Sequence, residues 1–178
     1  VCGDAGFLTT DDEDIAKRIN LYRNHGLIDR DTVERFGKVS RMDTLQAAIL
    51  EYRISRLSKI IEKRRENVDL YRDFLISSQV HIPKEGKGEY NTYHTFVIQC
   101  DKRNELKKYL SKQGIETAIH YPRPIHLQPA ASHLGYREGD FPVVETQSNR
   151  ILSLPIHQYL TKNDIKHVCA CINKFFDK

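Results

Sequence analysis

The feature that most constrains this chain is a long succession of apolar residues at helical spacing. Leu45, Ile49, Tyr52, Leu57, Ile60, Ile61, Val68, Tyr71 and Leu75 recur on one face, the period of an amphipathic helix. Asp43 precedes them, with Gln46 three residues on, the spacing of a capping box. The pattern predicts one long helix starting near Asp43, with a bend around Lys63 to Asn67 where the apolar face drifts. It far exceeds the usual globular helix of ~11–12 residues, so it is long enough to serve two domains. We read its stripe as core, with Ala47 and Ala48 allowing close packing.

Elements of both kinds flank it. Phe7 to Thr10 reads as a short strand, and Thr10 with Glu13 as the N-cap pair of a helix whose face carries Ile15, Ile19 and Tyr22. Gly26 ends that helix, and residues 27–40 read as a loop with Gly37 as its most permissive point. After a turn-rich stretch from Pro83 to Tyr90, Thr95–Gln99 is predicted as a strand. Asp101 is then expected to cap a helix containing Leu106 and Leu110, with Gly114 as its left-handed C-cap. Ile115–Ile119 reads as another strand, and Pro122 and Pro124 stop it. Val144–Arg150 reads as a helical turn leading into a strand at Ile151–Leu154. Thr161 with Asp164 opens a last helix carrying Ile165, Val168, Ile172 and Phe175. A small α+β layer, helices on one face of a short sheet, is the economical arrangement.

Composition narrows the function classes. Of 178 residues, 39% are hydrophobic and 29% charged, which is ordinary for a globular domain. The net charge of +4 comes from basic residues scattered among acidic ones, unlike the one-sided patch of a nucleic-acid reader; no nucleic-acid partner is expected. No apolar run approaches the ~20 residues that span a bilayer, so no membrane insertion is expected. Cys2, Cys100, Cys169 and Cys171 match neither zinc nor redox spacing, and read as reduced thiols of a cytoplasmic protein. The opening Val1-Cys2-Gly3-Asp4-Ala5-Gly6 lacks a Met and runs into strand-like sequence, so a fragment is expected.

Several motifs carry chemistry only together. Gly3-Asp4-Ala5-Gly6 is followed by Asn24-His25-Gly26, and then by Ser40-Arg41-Met42-Asp43-Thr44-Leu45-Gln46-Ala47-Ala48. Further on stand His120-Tyr121-Pro122-Arg123-Pro124-Ile125-His126-Leu127-Gln128-Pro129 and Leu152-Ser153-Leu154-Pro155. In this order, over nearly the whole chain, they resemble the DegT/DnrJ/EryC1/StrS family of nucleotide-sugar aminotransferases. The resemblance implies an α/β, aspartate-aminotransferase-like fold, here the end of the large domain, a long linking helix and the small α+β C-terminal domain. It divides the chain into residues 1–65, the remnant of the large cofactor-binding domain with the connecting helix, and residues 66–178, the small domain.

The resemblance also implies pyridoxal phosphate as cofactor. Its substrates would be an amino acid, usually glutamate, and a nucleotide-linked keto sugar, used for surface polysaccharide or lipopolysaccharide. A homodimer with shared active sites is implied as well. In the family the imine lysine lies a few residues before the Gly-Asp-Ala-Gly turn, so it is expected upstream of Val1 and no catalytic residue is assigned here. Two other readings stay open. One is a non-transaminating sugar dehydratase of the same family; the other is a stand-alone interaction module.

Site assignments follow residue by residue. Gly3 and Asp4 resemble the turn that shapes the cofactor site, although an ordinary tight turn reads the same way. Ser40 and Arg41 stand at a helix entrance, where free N–H groups favour an anion. The resemblance assigns both to the cofactor, and Arg41 to the substrate too; a surface cap is the plain alternative. The family usually places Asn two residues before this Arg, and Val39 stands there instead. His25, His120, Tyr121 and His126 are implied to line the substrate side, against simpler roles in capping, packing and loop bonding. His120, His126 and His133 have no carboxylate or Cys at supporting spacing, and no metal site is expected.

Overall fold

The structure is a computed structural model that describes residues 5–177. It is a mixed helix-and-sheet chain that divides into two compact units, Val1–Leu57 and Ser58–Lys178.

The first unit holds helices α1, Glu13–Arg23, and α2, Thr44–Ile54. Helix α1 starts at Asp12, not at Thr10. The Asp12 carboxylate accepts from the Asp14 and Ile15 N–H groups at 2.9 and 3.0 Å, and Thr10 Oγ1 accepts from Asp12 N–H. A carboxylate beats a hydroxyl here because it also meets the positive end of the helix dipole. Among the described residues, residues 7–10 form no strand, and Phe7 and Leu8 are exposed. Gly26, at φ +75°, ends α1 as expected, its N–H donating to the Leu21 carbonyl at 2.8 Å.

The following loop is more ordered than its composition suggests. Asn24 bridges Val39 and Leu27 bridges Val33, both antiparallel, around a turn in which Asp29 Oδ1 accepts from the Asp31 and Thr32 N–H groups. Gly37 serves close approach: a Cβ there would stand 2.5 Å from the Gly26 nitrogen.

The single long helix does not form. Helix α2 ends at Ile54 and α3 runs from Leu57 to Phe74, unbroken through Lys63–Asn67. The break comes earlier, at Ser55, whose hydroxyl donates to the Tyr52 carbonyl at 2.9 Å. This is the local side-chain bond by which Ser competes with the helical ladder. The capping box at the start of α2 is present, with Gln46 Oε1 accepting from Asp43 N–H at 3.3 Å.

The second unit holds the core. Strands β1, Phe96–Gln99, and β2, Ile151–Leu154, pair antiparallel with Phe96 opposite Leu154 and Ile98 opposite Leu152. Helices α4, Arg103–Lys112, α5, Pro142–Arg150, and α6, Lys162–Phe176, complete it. Ile98, Leu106, Leu110, Leu152, Ile165 and Ile172 are fully buried with Val68 and Tyr71 of α3. Among the described residues, no hydrophobic side chain before Val68 is buried.

Long-range side-chain bonds fasten α3 to this core. Tyr71 donates to the Pro155 carbonyl at 2.9 Å, and Asn173 Nδ2 to the Phe74 carbonyl at 2.8 Å. Asn173 Oδ1 also accepts from the Ile76 and Ser77 N–H groups, closing the C-terminal end of α3 from a distant helix.

Three local expectations change here. Lys102, not Asp101, precedes α4; the Asp101 carboxylate lies 2.8 Å from Arg150 Nε and is drawn away from the helix end. Among the described residues, residues 115–119 make an isolated bridge, Ala118 with Ser153, in place of the expected strand. Helix α5 begins two residues earlier than Val144, with Pro142 in the first turn where its missing N–H costs nothing. Gly114, at φ +76°, and the Thr161–Asp164 capping box stand as expected. Among the described residues, no helix is long and apolar enough to cross a membrane.

Candidate functional site

The expected site residues fall into two groups, one in each unit. Gly3 and Asp4 lie outside the described residues.

In the first unit, a short clip joins the end of α1 to the segment before α2. Arg23 Nε donates to the Ser40 carbonyl at 2.9 Å, and Ser40 N–H to the Arg23 carbonyl at 3.0 Å. His25, at φ +59°, donates its N–H to the Lys38 carbonyl at 3.1 Å. The Arg41 guanidinium donates through Nη2 to Asn24 Oδ1. His25, Ser40 and Arg41 are thus gathered on one clip. Val39 takes part through backbone, in its bridge with Asn24, and its side chain stays exposed.

Arg41 opens into a cavity of about 480 Å³ lined by Lys17, Asn20, Leu21, Arg23, Asn24, Leu27 and Arg41. Three cations and two amides face it, and no carboxylate is among these lining residues. Such a donor set suits a phosphate or carboxylate, with the planar Arg fork giving two parallel donors. Arg41 stands out in the sequence; Lys17 and Asn20 do not. Their spacing with Asn24, i, i+3 and i+7 along α1, was the available signal.

In the second unit, His120 and Tyr121 stay exposed at the end of the Ala118 bridge. His120 Nδ1 stands 2.9 Å from Oγ of the buried Ser153, and the two rings of His120 and Tyr121 meet edge-on at 5.6 Å. His120 also lines a cleft of about 560 Å³ together with His94, His157 and His167.

His126 is placed differently. It is buried, its Nε2 lies 3.0 Å from Glu145 Oε1, and its ring packs against Phe141 at 4.8 Å. Glu145 also accepts from the Gly139 and Phe141 N–H groups, at 2.9 and 3.2 Å. The Gly139 N–H, with Phe141 N–H and His126, holds the Glu145 carboxyl below its ordinary range. Among the described residues, no group of three or more His, Cys, Asp or Glu is disposed to hold a metal.

Comparison with known proteins decides the family. The profile of the DegT/DnrJ/EryC1/StrS aminotransferase family matches residues 1–173. The chain belongs to that family. It is 36% identical, over 98% of its own length and 48% of the relative's, to a "Pleiotropic regulatory protein" of Geobacillus stearothermophilus. It is 33% identical to the dTDP-3-amino-3,6-dideoxy-alpha-D-galactopyranose transaminase of Aneurinibacillus thermoaerophilus, covering 96% of this chain and 46% of that one. Among solved structures, S. venezuelae DesV in complex with a ketimine intermediate superposes with a TM-score of 0.88 at 29% identity, over 95% of this chain and 46% of that one. The chain therefore spans about half the length of the relatives it matches. Aminotransferases of the DegT/DnrJ/EryC1/StrS family depend on pyridoxal phosphate. The donor set around Arg41 fits the phosphate end of that cofactor.

Proposed function

We propose that this chain is part of a pyridoxal-phosphate-dependent aminotransferase that moves an amino group from glutamate to the keto group of a nucleotide-linked sugar, for surface polysaccharide or lipopolysaccharide synthesis. In this reading residues 1–65 end the large domain of an aspartate-aminotransferase-like fold, and residues 66–178 form its small domain. The enzyme is a cytoplasmic homodimer whose active sites are shared between subunits. In this reading no residue of this chain holds the cofactor covalently.

The observation that carries the reading is the Arg41 clip. Its guanidinium faces a cavity with Lys17 and Arg23; no carboxylate is among the lining residues, and Lys17 pairs with Glu13 outside them at 3.7 Å. Bound pyridoxal phosphate supplies the electron sink for amino-group transfer. The residues of this chain bind and orient. Arg41 takes a phosphate oxygen pair, and the Ser40 hydroxyl and the N–H groups before α2 add donors on the cofactor side. His25 borders the substrate. In the tautomer in which Ser153 Oγ donates to Nδ1, His120 presents Nε2–H to the sugar nucleotide, beside the Tyr121 phenol. His126, bonded to Glu145, holds the adjoining wall of the substrate site.

The test is transfer of ¹⁵N from labelled glutamate to a dTDP- or UDP-linked keto sugar by the full encoded polypeptide, read by mass spectrometry. Labelled amino sugar is expected only with pyridoxal phosphate present. Loss of water from the sugar with no nitrogen gained would point to the dehydratase reading and overturn this one.

A further inference from the structure

Arg41 is exposed, yet its guanidinium is tethered, and the tether is an amide. The backbone of Asn24 is fixed on three sides. Its N–H donates to the Leu21 carbonyl at 3.2 Å, its carbonyl accepts from Leu27 N–H at 3.0 Å, and it bridges Val39. The two Arg23–Ser40 bonds hold the segment that carries Arg41 against the same turn. The turn has no slack. A Cβ at Gly26 would fall 1.6 Å from the Arg35 carbonyl oxygen, and one at Gly37 would fall 2.6 Å from that of Tyr22. Asn24 Oδ1 therefore stands at a fixed point and takes one of the five guanidinium donors.

The chemistry of the tether matters as much as its position. An Asp at position 24 would hold Arg41 with a stronger, charge-assisted bond while cancelling its charge. An amide aims the guanidinium and leaves it positive. Arg23 and Lys17, the latter also 3.7 Å from Glu13, line the same cavity, so the aimed charge has company of its own sign.

We propose that Asn24 is a positioning residue that aims Arg41 at a phosphoryl group bound in the cavity lined by Lys17, Asn20, Arg23, Asn24 and Arg41. The proposal rests on the aminotransferase reading for the identity of the phosphoryl carrier, pyridoxal phosphate or the sugar nucleotide, and not for the existence of the anion site. It separates from a merely structural role through one substitution. If Asn24 only braced the clip, Asn24→Asp would leave it braced as well or better. If Asn24 aims an uncompensated charge, Asn24→Asp weakens the anion.

The experiment titrates the full encoded polypeptide, wild type, Asn24→Asp and Asn24→Ala, with inorganic phosphate, pyridoxal phosphate and dTDP by calorimetry, beside thermal melts and the ¹⁵N transfer assay. Asn24→Asp is expected to keep the melting temperature and lose roughly ten- to a hundredfold in affinity for the phosphoryl ligand, the scale of one charged hydrogen bond. Asn24→Ala is expected to lose affinity as well. Loss confined to pyridoxal phosphate names the cofactor as the carrier, and loss confined to dTDP names the sugar nucleotide. Wild-type affinity in Asn24→Asp overturns the proposal, as does a wild type that binds none of the three. Weakened phosphate binding without any nitrogen transfer by the wild type supports the anion site and sinks the aminotransferase reading alone.

Discussion

The Arg35 carbonyl oxygen closes over Gly26 so tightly that a Cβ built there would lie 1.6 Å from it. Gly26 also holds φ at +75°, a region L side chains rarely adopt. Gly26→Ala is therefore expected to open the clip between residues 22–26 and 35–40 while leaving the second unit folded. Backbone strain of this kind costs about 1–3 kcal/mol, enough to expose the amides of Lys38 and Ser40. Hydrogen exchange read peptide by peptide checks it. Faster exchange confined to these residues is expected; unchanged protection there would show that the turn tolerates a side chain.

The same turn shows what sequence alone makes legible. Gly26 and Arg41 stand out by residue type and motif order, because a left-handed stop and a planar cation each have few substitutes. The break at Ser55 did not stand out. The apolar stripe passes through it without interruption, and a Ser hydroxyl bonding its own helix is a local competition that periodicity does not register. Thr10 lost the cap to Asp12 for a similar reason: both positions offer an oxygen, and only geometry and charge choose between them. Residues 115–119 have strand composition, yet among the described residues their one β-bridge is Ala118 with Ser153. A pairing partner far along the chain is not written in a window of five residues. In the site, Lys17 and Asn20 were passed over because no motif names them; they join Arg41 through the turn of α1 and not through sequence proximity.

Glu145 gathers the Gly139 and Phe141 N–H groups and His126 at one carboxylate. Its carboxyl is held below the ordinary range, first by the Gly139 N–H. A carboxyl depressed in the folded state contributes stability above its unfolded value, and that contribution is lost as pH falls through the folded one. The loop from Arg137 to Phe141 is thus expected to stay closed through the ordinary carboxylate range and to loosen only in stronger acid. The Gly139 amide shift in an NMR titration is the probe. An inflection below the ordinary Glu value is expected, and Glu145→Gln should remove it. An inflection at the ordinary value would contradict the assigned hydrogen bonds.

In the proposed enzyme Arg41, aimed by Asn24, recognises a phosphoryl group. Affinity of the full encoded polypeptide for pyridoxal phosphate, measured for wild type, Arg41→Ala and Arg41→Lys, tests it most directly. Loss of a charged hydrogen bond should weaken Arg41→Ala by roughly ten- to over a hundredfold, with its melting temperature little changed because the side chain is exposed. Arg41→Lys should recover part of that, since a point charge lacks the fork. Wild-type affinity in Arg41→Ala would contradict the account and leave Arg41 a surface cap.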